Sequence, residues 1–173
     1  TATVVGGTVQ TFTLSLDLPA PEGGTFLFVD AGDRQTGLYF AHATGFCKEV
    51  WLPVAGFARS RLPDVELVMW DGAAHGESDA GEPPFDWWSF GEDALSVLDA
   101  FDHGTRFGVG HSMGGAALVM AEILRPGTFS GLMLIEPIIF RPPFARFSNP
   151  LAEGALRRRR SFADRRSVLE NFR

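Results

Sequence analysis

The chain has 173 residues, which is long enough for one compact domain with a buried core. Hydrophobic residues make up 45% of it and 16 are phenylalanines, so an intrinsically disordered protein is excluded. The net charge of −6 argues against nucleic acid as the main partner.

Cysteine content, apolar runs and the distribution of charge narrow the class further. The single cysteine, Cys47, favours a reducing compartment, and no apolar run reaches the roughly 18 residues of a transmembrane helix. We therefore expect a cytoplasmic protein with no membrane partner. Residues 157–173 hold seven of the 15 basic residues. The run RRRR at 157–160 resembles a targeting or nucleic-acid patch, but without interleaved aromatic residues it is better interpreted as a solvated helix face.

Strand and helix patterns alternate along the first 140 residues. Period-2 patterns or short apolar runs predict strands at 8–18, 24–33, 37–45, 65–70, 106–110 and 130–140. We expect the second of these strands to lie beside the first. Apolar residues at helical spacing predict helices at 49–60, 90–101 and 113–124. Ser89 and Glu92 have the spacing of a capping box ahead of the second helix. This order predicts an α/β fold with a three-layer, mostly parallel sheet.

The composition changes after Phe140. A proline-rich stretch comes next, and then the basic segment, in which Ser161 and Asp164 fit a helix start. We therefore divide the chain into a core at 1–140 and a second segment at 141–173.

The segment GHSMG at 110–114 lies between a predicted strand and a predicted helix. This is the context that the G-x-S-x-G pattern requires. The turn is so tight that Ser112 must adopt a strained conformation, and glycines at 110 and 114 remove Cβ atoms that would collide there. The hydroxyl group of Ser112 then stands at the carboxyl edge of the sheet. The Met113 N–H, at the helix N-terminus, is the expected first oxyanion donor.

With these motifs the chain resembles the alpha/beta-hydrolase superfamily from about Thr25 to Phe140. FAHATGF at 40–46 is similar to the family's H-G loop, which implies that Thr44 supplies the second oxyanion donor, with Phe46 as the competitor. DGAAHGESD at 71–79 is similar to the D-x-R-G-H-G-x-S-D loop, but Ala73 and Ala74 replace arginine and glycine, so we expect this loop to be held differently.

The resemblance extends past the serine into the last part of the chain. Residues 141–173 look like the start of the helical cap that the family inserts after its sixth strand. The fold is then truncated after that strand, which would be left as a bare apolar edge. We expect the N-terminal portion of a larger hydrolase, with the remaining C-terminal part in the same polypeptide or in a second chain as its partner.

The family order along the chain is nucleophile, acid, histidine, yet no histidine comes after Ser112. His42 and His75 match structural positions of the family loops. The side chain of His111 is expected to point away from the serine. His103 is expected to lie exposed at the end of a helix. His75 is the best general base among the four. Glu136, at the end of the sixth strand, is either the triad acid or a brace for the cap loop.

These residues predict a serine hydrolase acting on a carboxylic ester, lactone or related acyl compound through an acyl-enzyme on Ser112. No metal or organic cofactor is expected. Aromatic residues near the pocket favour a small hydrophobic acyl substrate, although they fit cap core equally: Trp87, Trp88, Phe140, Phe144 and Phe147. Two alternatives stay open. One is a carbon–carbon bond hydrolase or cofactor-free perhydrolase, and the other is a non-catalytic binding protein that lacks the histidine.

Overall fold

The computed structural model describes residues 2–4, 10–12, 27–30, 33–81, 86–139, 154, 157, 159 and 161–171. The chain divides into two compact units, Thr1–Ile139 and Phe140–Arg173. In the second unit, α4 (Arg165–Asn171) begins after Asp164, whose Oδ1 accepts a hydrogen bond from the Ser167 N–H at 2.8 Å. The predicted helix start at Asp164 is confirmed, and the interpretation of this unit as a cap stays a prediction.

The first unit is built on a five-stranded sheet. Its strands are β3 (Leu27–Asp30), β4 (Asp33–Ala41), β5 (Val65–Trp70), β6 (Thr105–His111) and β7 (Gly131–Ile135). They lie in the order β3-β5-β4-β6-β7, and only β3 is antiparallel to its neighbour. The predicted mostly parallel α/β sheet is confirmed.

Consecutive residues of a strand point to opposite faces of the sheet. The alternate residues of β4 therefore pack against different helices, which cover both faces. Tyr39 and Ala41 of β4 pack with α2 (Trp87–Asp99) and α3 (Met113–Leu124). Phe40 packs on the other face with Trp51 of a 3₁₀ turn (Lys48–Trp51) and with α1 (Leu52–Arg61). The three predicted layers are therefore present.

The described residues bear on two expectations about local structure. β3 pairs with β5 at the edge of the sheet, and β2 (Gln10–Phe12) pairs with β1 (Ala2–Val4) in a separate ribbon. Residues 13–26 lie outside the described residues, so the pairing of strand 24–33 with strand 8–18 stays a prediction. The predicted capping box is wrong. The carboxylate of Asp86 accepts the Trp88 N–H at 3.3 Å, so α2 starts at Trp87 and Ser89 lies inside its first turn. Asp86 is a better N-cap than Ser89 because a carboxylate at the helix N-terminus also interacts favourably with the helix dipole.

The far edge of β7 has no strand partner among the described residues, as expected for the sixth predicted strand. Its side chains are correspondingly exposed: Met133 is 64% exposed and Ile135 is 41% exposed. Within the described part of the chain, no helix has both the length and the apolar character needed to cross a membrane.

Close packing of α3 on the sheet fixes how near the preceding turn, which carries Ser112, lies to the end of β4. A Cβ atom on Gly114 would overlap the backbone carbonyl of Ala41 at the end of β4, and one on Gly110 would overlap the backbone of Gly115. Both glycines thus permit backbone contact, although the obstacle is the neighbouring strand and helix rather than Ser112 itself. The turn can lie this close to β4 because residues 110 and 114 carry no Cβ atom.

Gly114→Ala should therefore destabilise the fold by about 1–3 kcal/mol or more, because the strand and the helix must separate. Gly56→Ala is the matched control. Gly56 lies within α1 with nothing within 4 Å of its added Cβ, so this change should stabilise by about 0.5–1 kcal/mol. Urea denaturation of the two variants measures the contrast. Equal stabilities would contradict the packing account.

Candidate active site

Ser112 occupies a strained turn between β6 and α3, with φ 53° and ψ −112°. Its N–H donates to the Ile135 carbonyl at 3.0 Å, and its carbonyl accepts from the N–H groups of Ala116 and Ile138, both at 3.1 Å. Strained residues of this kind persist only where the surroundings over-determine them. The predicted backbone conformation is confirmed, and the role of the hydroxyl group as nucleophile stays a prediction.

A second strained residue lies in the adjacent segment. Glu136 directly follows β7, has φ 43° and is exposed. Its two neighbours contact the turn that carries Ser112. The Ile135 carbonyl accepts the Ser112 N–H, and the Cβ atom of Pro137 lies 2.9 Å from where a Cβ atom on Gly115 would stand. The fold therefore brings the backbone of Glu136 beside that of Ser112. The sequence does not predict the left-handed conformation of Glu136, since the proline that follows it favours an extended conformation with negative φ.

The predicted oxyanion donors belong to different elements. Met113 is the first residue of α3 and is buried; its N–H is one of four amides without an acceptor inside the helix. Thr44 lies in the turn after β4 and is exposed. The Phe46 N–H donates to the Ala43 carbonyl at 3.1 Å and closes that turn. The N–H of the competitor is thus engaged, and the role of Thr44 as the second donor stays a prediction.

His42 is a structural residue, as its position in the loop predicted. Its Nδ1 lies 2.9 Å from the Ala43 carbonyl oxygen, and its Nε2 accepts from the Gly72 N–H at 3.0 Å. This pattern requires a neutral ring with the proton on Nδ1. Burial lowers the pKa of His42 and keeps it neutral. Both nitrogens are thus occupied, and His42 has no free position with which to act as a base.

The other loop histidine is also engaged with the backbone. The Nδ1 of His75 lies 2.8 Å from the Ala73 carbonyl oxygen, and its ring lies 5.2 Å from that of His42. His111 ends β6 and is half-buried. Among the described residues, no hydrogen bond joins either His75 or His111 to Ser112. The general base stays unassigned within this chain.

His103 contradicts the expectation of an exposed helix end, because it is buried. Its Nε2 lies 2.7 Å from Glu66 Oε2, and its Nδ1 lies 2.6 Å from the Tyr39 hydroxyl oxygen. Its local sequence looks solvated, but side chains from β4 and β5 enclose it. His103 precedes β6 and Ser112 follows this strand. The two residues are therefore separated by the length of β6, about 20 Å.

The loop after β5 is held by a buried ion pair. Asp71 is fully buried, and Lys48 Nζ lies 2.7 Å from its Oδ2. The backbone N–H groups of Lys48 and Glu77 donate to the same carboxylate at 2.6 and 3.1 Å. A Cβ atom on Gly76 would overlap that carboxylate. Lys48 thus provides the cation that holds this loop through Asp71, and the expectation that the loop departs from the family pattern stays a prediction.

The pKa values of this pair follow from the competition between burial and contact. Burial by itself raises the pKa of Asp71, but the hydrogen bonds from Lys48 and from the Glu77 N–H outweigh it and lower that pKa. Burial likewise opposes the charge of Lys48, but contacts with Asp71, Glu77 and Glu49 raise its pKa. Both groups are therefore charged at neutral pH.

Ala74 adopts a conformation that suits glycine. Its φ is 62°, and its N–H donates to the Asp79 carbonyl at 2.9 Å. The left-handed region costs an L-residue about 1–2 kcal/mol. The departure from the family glycine at this position is therefore an actual strain.

Ala74→Gly should stabilise the protein by about 0.5–1 kcal/mol, because relief of the strain exceeds the entropy that glycine loses on folding. Ala58→Gly, the same change within α1, should destabilise by about 1 kcal/mol. Thermal denaturation of both variants compares them. Destabilisation at both positions would refute the strain at Ala74.

The aromatic residues expected around the pocket are only partly described. Trp87 and Trp88, in the first turn of α2, are 50% and 44% exposed. Phe140, Phe144 and Phe147 lie outside the described residues. Within the described ranges, no group of three or more His, Cys, Asp or Glu side chains could hold a metal ion.

Fold and site together define an α/β protein with a strained serine at the carboxyl edge of a parallel sheet. The sequence profile described as the alpha/beta hydrolase family matches residues 38–172, more than half of the chain. The chain belongs to the alpha/beta hydrolase family.

Several relatives of known identity are similar to this chain. The peroxisomal membrane protein LPX1 of Saccharomyces cerevisiae is 31% identical over 118 residues, which are 59% of this chain and 30% of that protein. The monoglyceride lipase of Homo sapiens is 32% identical over 85 residues, which are 46% of this chain and 28% of that protein. The solved structure of a marine microorganism esterase superposes with a TM-score of 0.62 at 17% identity, covering 78% of this chain and 48% of that one. This chain therefore spans less than a third of both curated relatives.

Proposed function

We propose that this chain is the nucleophile-bearing portion of a serine hydrolase that acts on carboxylic esters, lactones or related acyl compounds. The observation that carries the proposal is the positive φ of Ser112 at the strand-to-helix turn. Strained residues of this kind cluster at active sites. The half-buried Ser112 directly follows β6, at the sheet edge where open α/β folds bind ligands.

In the proposed mechanism, Ser112 Oγ attacks the acyl carbon and forms a tetrahedral intermediate. The N–H groups of Met113 and Thr44 stabilise the oxyanion, with the N-terminus of α3 contributing partial positive charge. A histidine outside these 173 residues accepts the serine proton and returns it to the departing alcohol. Water then hydrolyses the acyl-enzyme by the same route and releases the acid.

Glu136 is the proposed acid that orients this histidine. Its support is position: it follows the strand next to β6, and its neighbours Ile135 and Pro137 contact the turn that carries Ser112. The alternative, in which Glu136 braces the loop after β7, predicts no effect of Glu136 on the ionisation of a histidine.

The proposed partner is the remaining C-terminal part of the hydrolase, in the same polypeptide or in a second chain. Support comes from the exposed edge of β7 and from the share of the relatives that this chain covers. We also propose a small hydrophobic acyl substrate, because the names of two relatives describe a lipase and an esterase. Cys47, a free thiol, is the support for a location in the cytoplasm.

A non-catalytic binding protein is the second candidate. The observation that favours it is that no hydrogen bond joins Ser112 to any of the four histidines, all of which lie in the described ranges. The two candidates differ in whether Ser112 reacts.

Hydrolysis of p-nitrophenyl butyrate by the full-length protein separates the candidates. Ser112→Ala should lower kcat by at least about 10³-fold, because the acyl-enzyme cannot form. Ser60→Ala is the matched control, since this serine is exposed in α1 and donates to the Phe57 carbonyl; it should leave kcat unchanged. Full-length protein that folds but hydrolyses no acyl ester, or Ser112→Ala with wild-type kcat, would favour the binding protein.

A further inference from the structure

We propose that Lys48 and Asp71 are positioning residues for the oxyanion hole: their buried ion pair sets the place of the Thr44 N–H relative to Ser112. This inference rests on the proposed function, because it gives the pair a role in the same reaction. Neither residue is proposed to touch the substrate.

The Asp71 carboxylate joins the two loops that follow neighbouring strands. Toward the loop after β4 it accepts the Lys48 N–H through Oδ1 at 2.6 Å, and the Lys48 ammonium through Oδ2 at 2.7 Å. Toward its own loop it accepts the Glu77 N–H at 3.1 Å. One fully buried carboxylate thus fixes residue 48 by its backbone and by its side chain together.

A second connection between the loops runs through His42, on the other side of Thr44 from Lys48. The His42 Nε2 accepts from the Gly72 N–H, next to Asp71. Thr44 therefore lies between two buried residues, His42 and Lys48, that are both bonded to the loop after β5. Thr44 itself is exposed, and the described contacts that hold its turn to the neighbouring loop lie at these two ends.

The other half of the oxyanion hole is held from the opposite side. Met113 begins α3, and α3 is held at the end of β4 by the contact between Gly114 and the Ala41 carbonyl. Ala41 directly precedes His42, so the position of the Met113 donor is tied to the start of the loop whose end Lys48 fixes. If residue 48 is released, Thr44 can move while Met113 stays in place.

Such a movement acts on the transition state more than on substrate binding. Oxyanion donors stabilise charge that develops only as the tetrahedral intermediate forms. A displacement of about 1 Å in such a group can cost about 10²-fold in rate. A residue with a merely structural role would instead lower the amount of folded protein and leave the kcat and KM of that fraction unchanged.

Lys48→Met in the full-length protein tests the inference, because it removes the ammonium and keeps much of the side-chain volume. With p-nitrophenyl butyrate, kcat per folded molecule should fall about 10- to 100-fold while KM stays within about threefold. The inhibition constant of a trifluoromethyl ketone, which binds as a tetrahedral adduct, should rise by a factor similar to the fall in kcat. Arg125→Met is the matched control, since it breaks a surface ion pair with Asp99 remote from both loops and should change none of these values.

A second variant covers the case in which Lys48→Met does not fold because Asp71 is left buried without its cation. Lys48→Met combined with Asp71→Asn removes both charges, and the amide oxygen can still accept the backbone N–H of residue 48. It should fold and show the same selective loss of kcat. Wild-type kcat and an unchanged inhibition constant in the folded variants would overturn the inference alone. A wild-type enzyme that does not hydrolyse the ester refutes the proposed function, and the inference falls with it.

Discussion

The close approach of α3 to the end of β4 is the constraint on which the site depends. Gly114 lies so near the Ala41 carbonyl that no side chain fits between them. The chain must therefore turn from β6 into α3 within one residue, and Ser112 absorbs that turn with a positive φ. The strained serine, and the place of the first amides of α3 beside the start of the loop carrying Thr44, depend on this single contact.

Backbone strain and the buried ion pair of Lys48 and Asp71 lie at the same edge of the sheet. Ser112, Glu136 and Ala74 are the described non-glycine residues with positive φ, and each follows the carboxyl end of a parallel strand. The buried pair of Lys48 and Asp71 lies at the same edge, after β4 and β5. Folding must offset both costs, which is the pattern expected where geometry is maintained for chemistry rather than for stability.

Much of the core, and of the turn that carries Ser112, could be predicted from local sequence. The α3 bounds and the conformation of Ser112 followed from GHSMGG, because only small residues allow that turn. Lys48 was missed, since its partner Asp71 lies 23 residues away and no local pattern links them. His103 was misjudged for the same reason: Glu66 and Tyr39 come from strands far away in sequence. The pairing of β3 with β5 likewise depends on a distant strand.

The most direct test of the central claim is covalent labelling of the full-length protein by a fluorophosphonate, followed by peptide mapping in a mass spectrometer. These reagents phosphonylate a serine only where a base activates it and an oxyanion hole stabilises the adduct. The account predicts one adduct per chain, on Ser112. Folded protein that takes up no adduct, or an adduct on another residue while Ser112 stays unmodified, would contradict it.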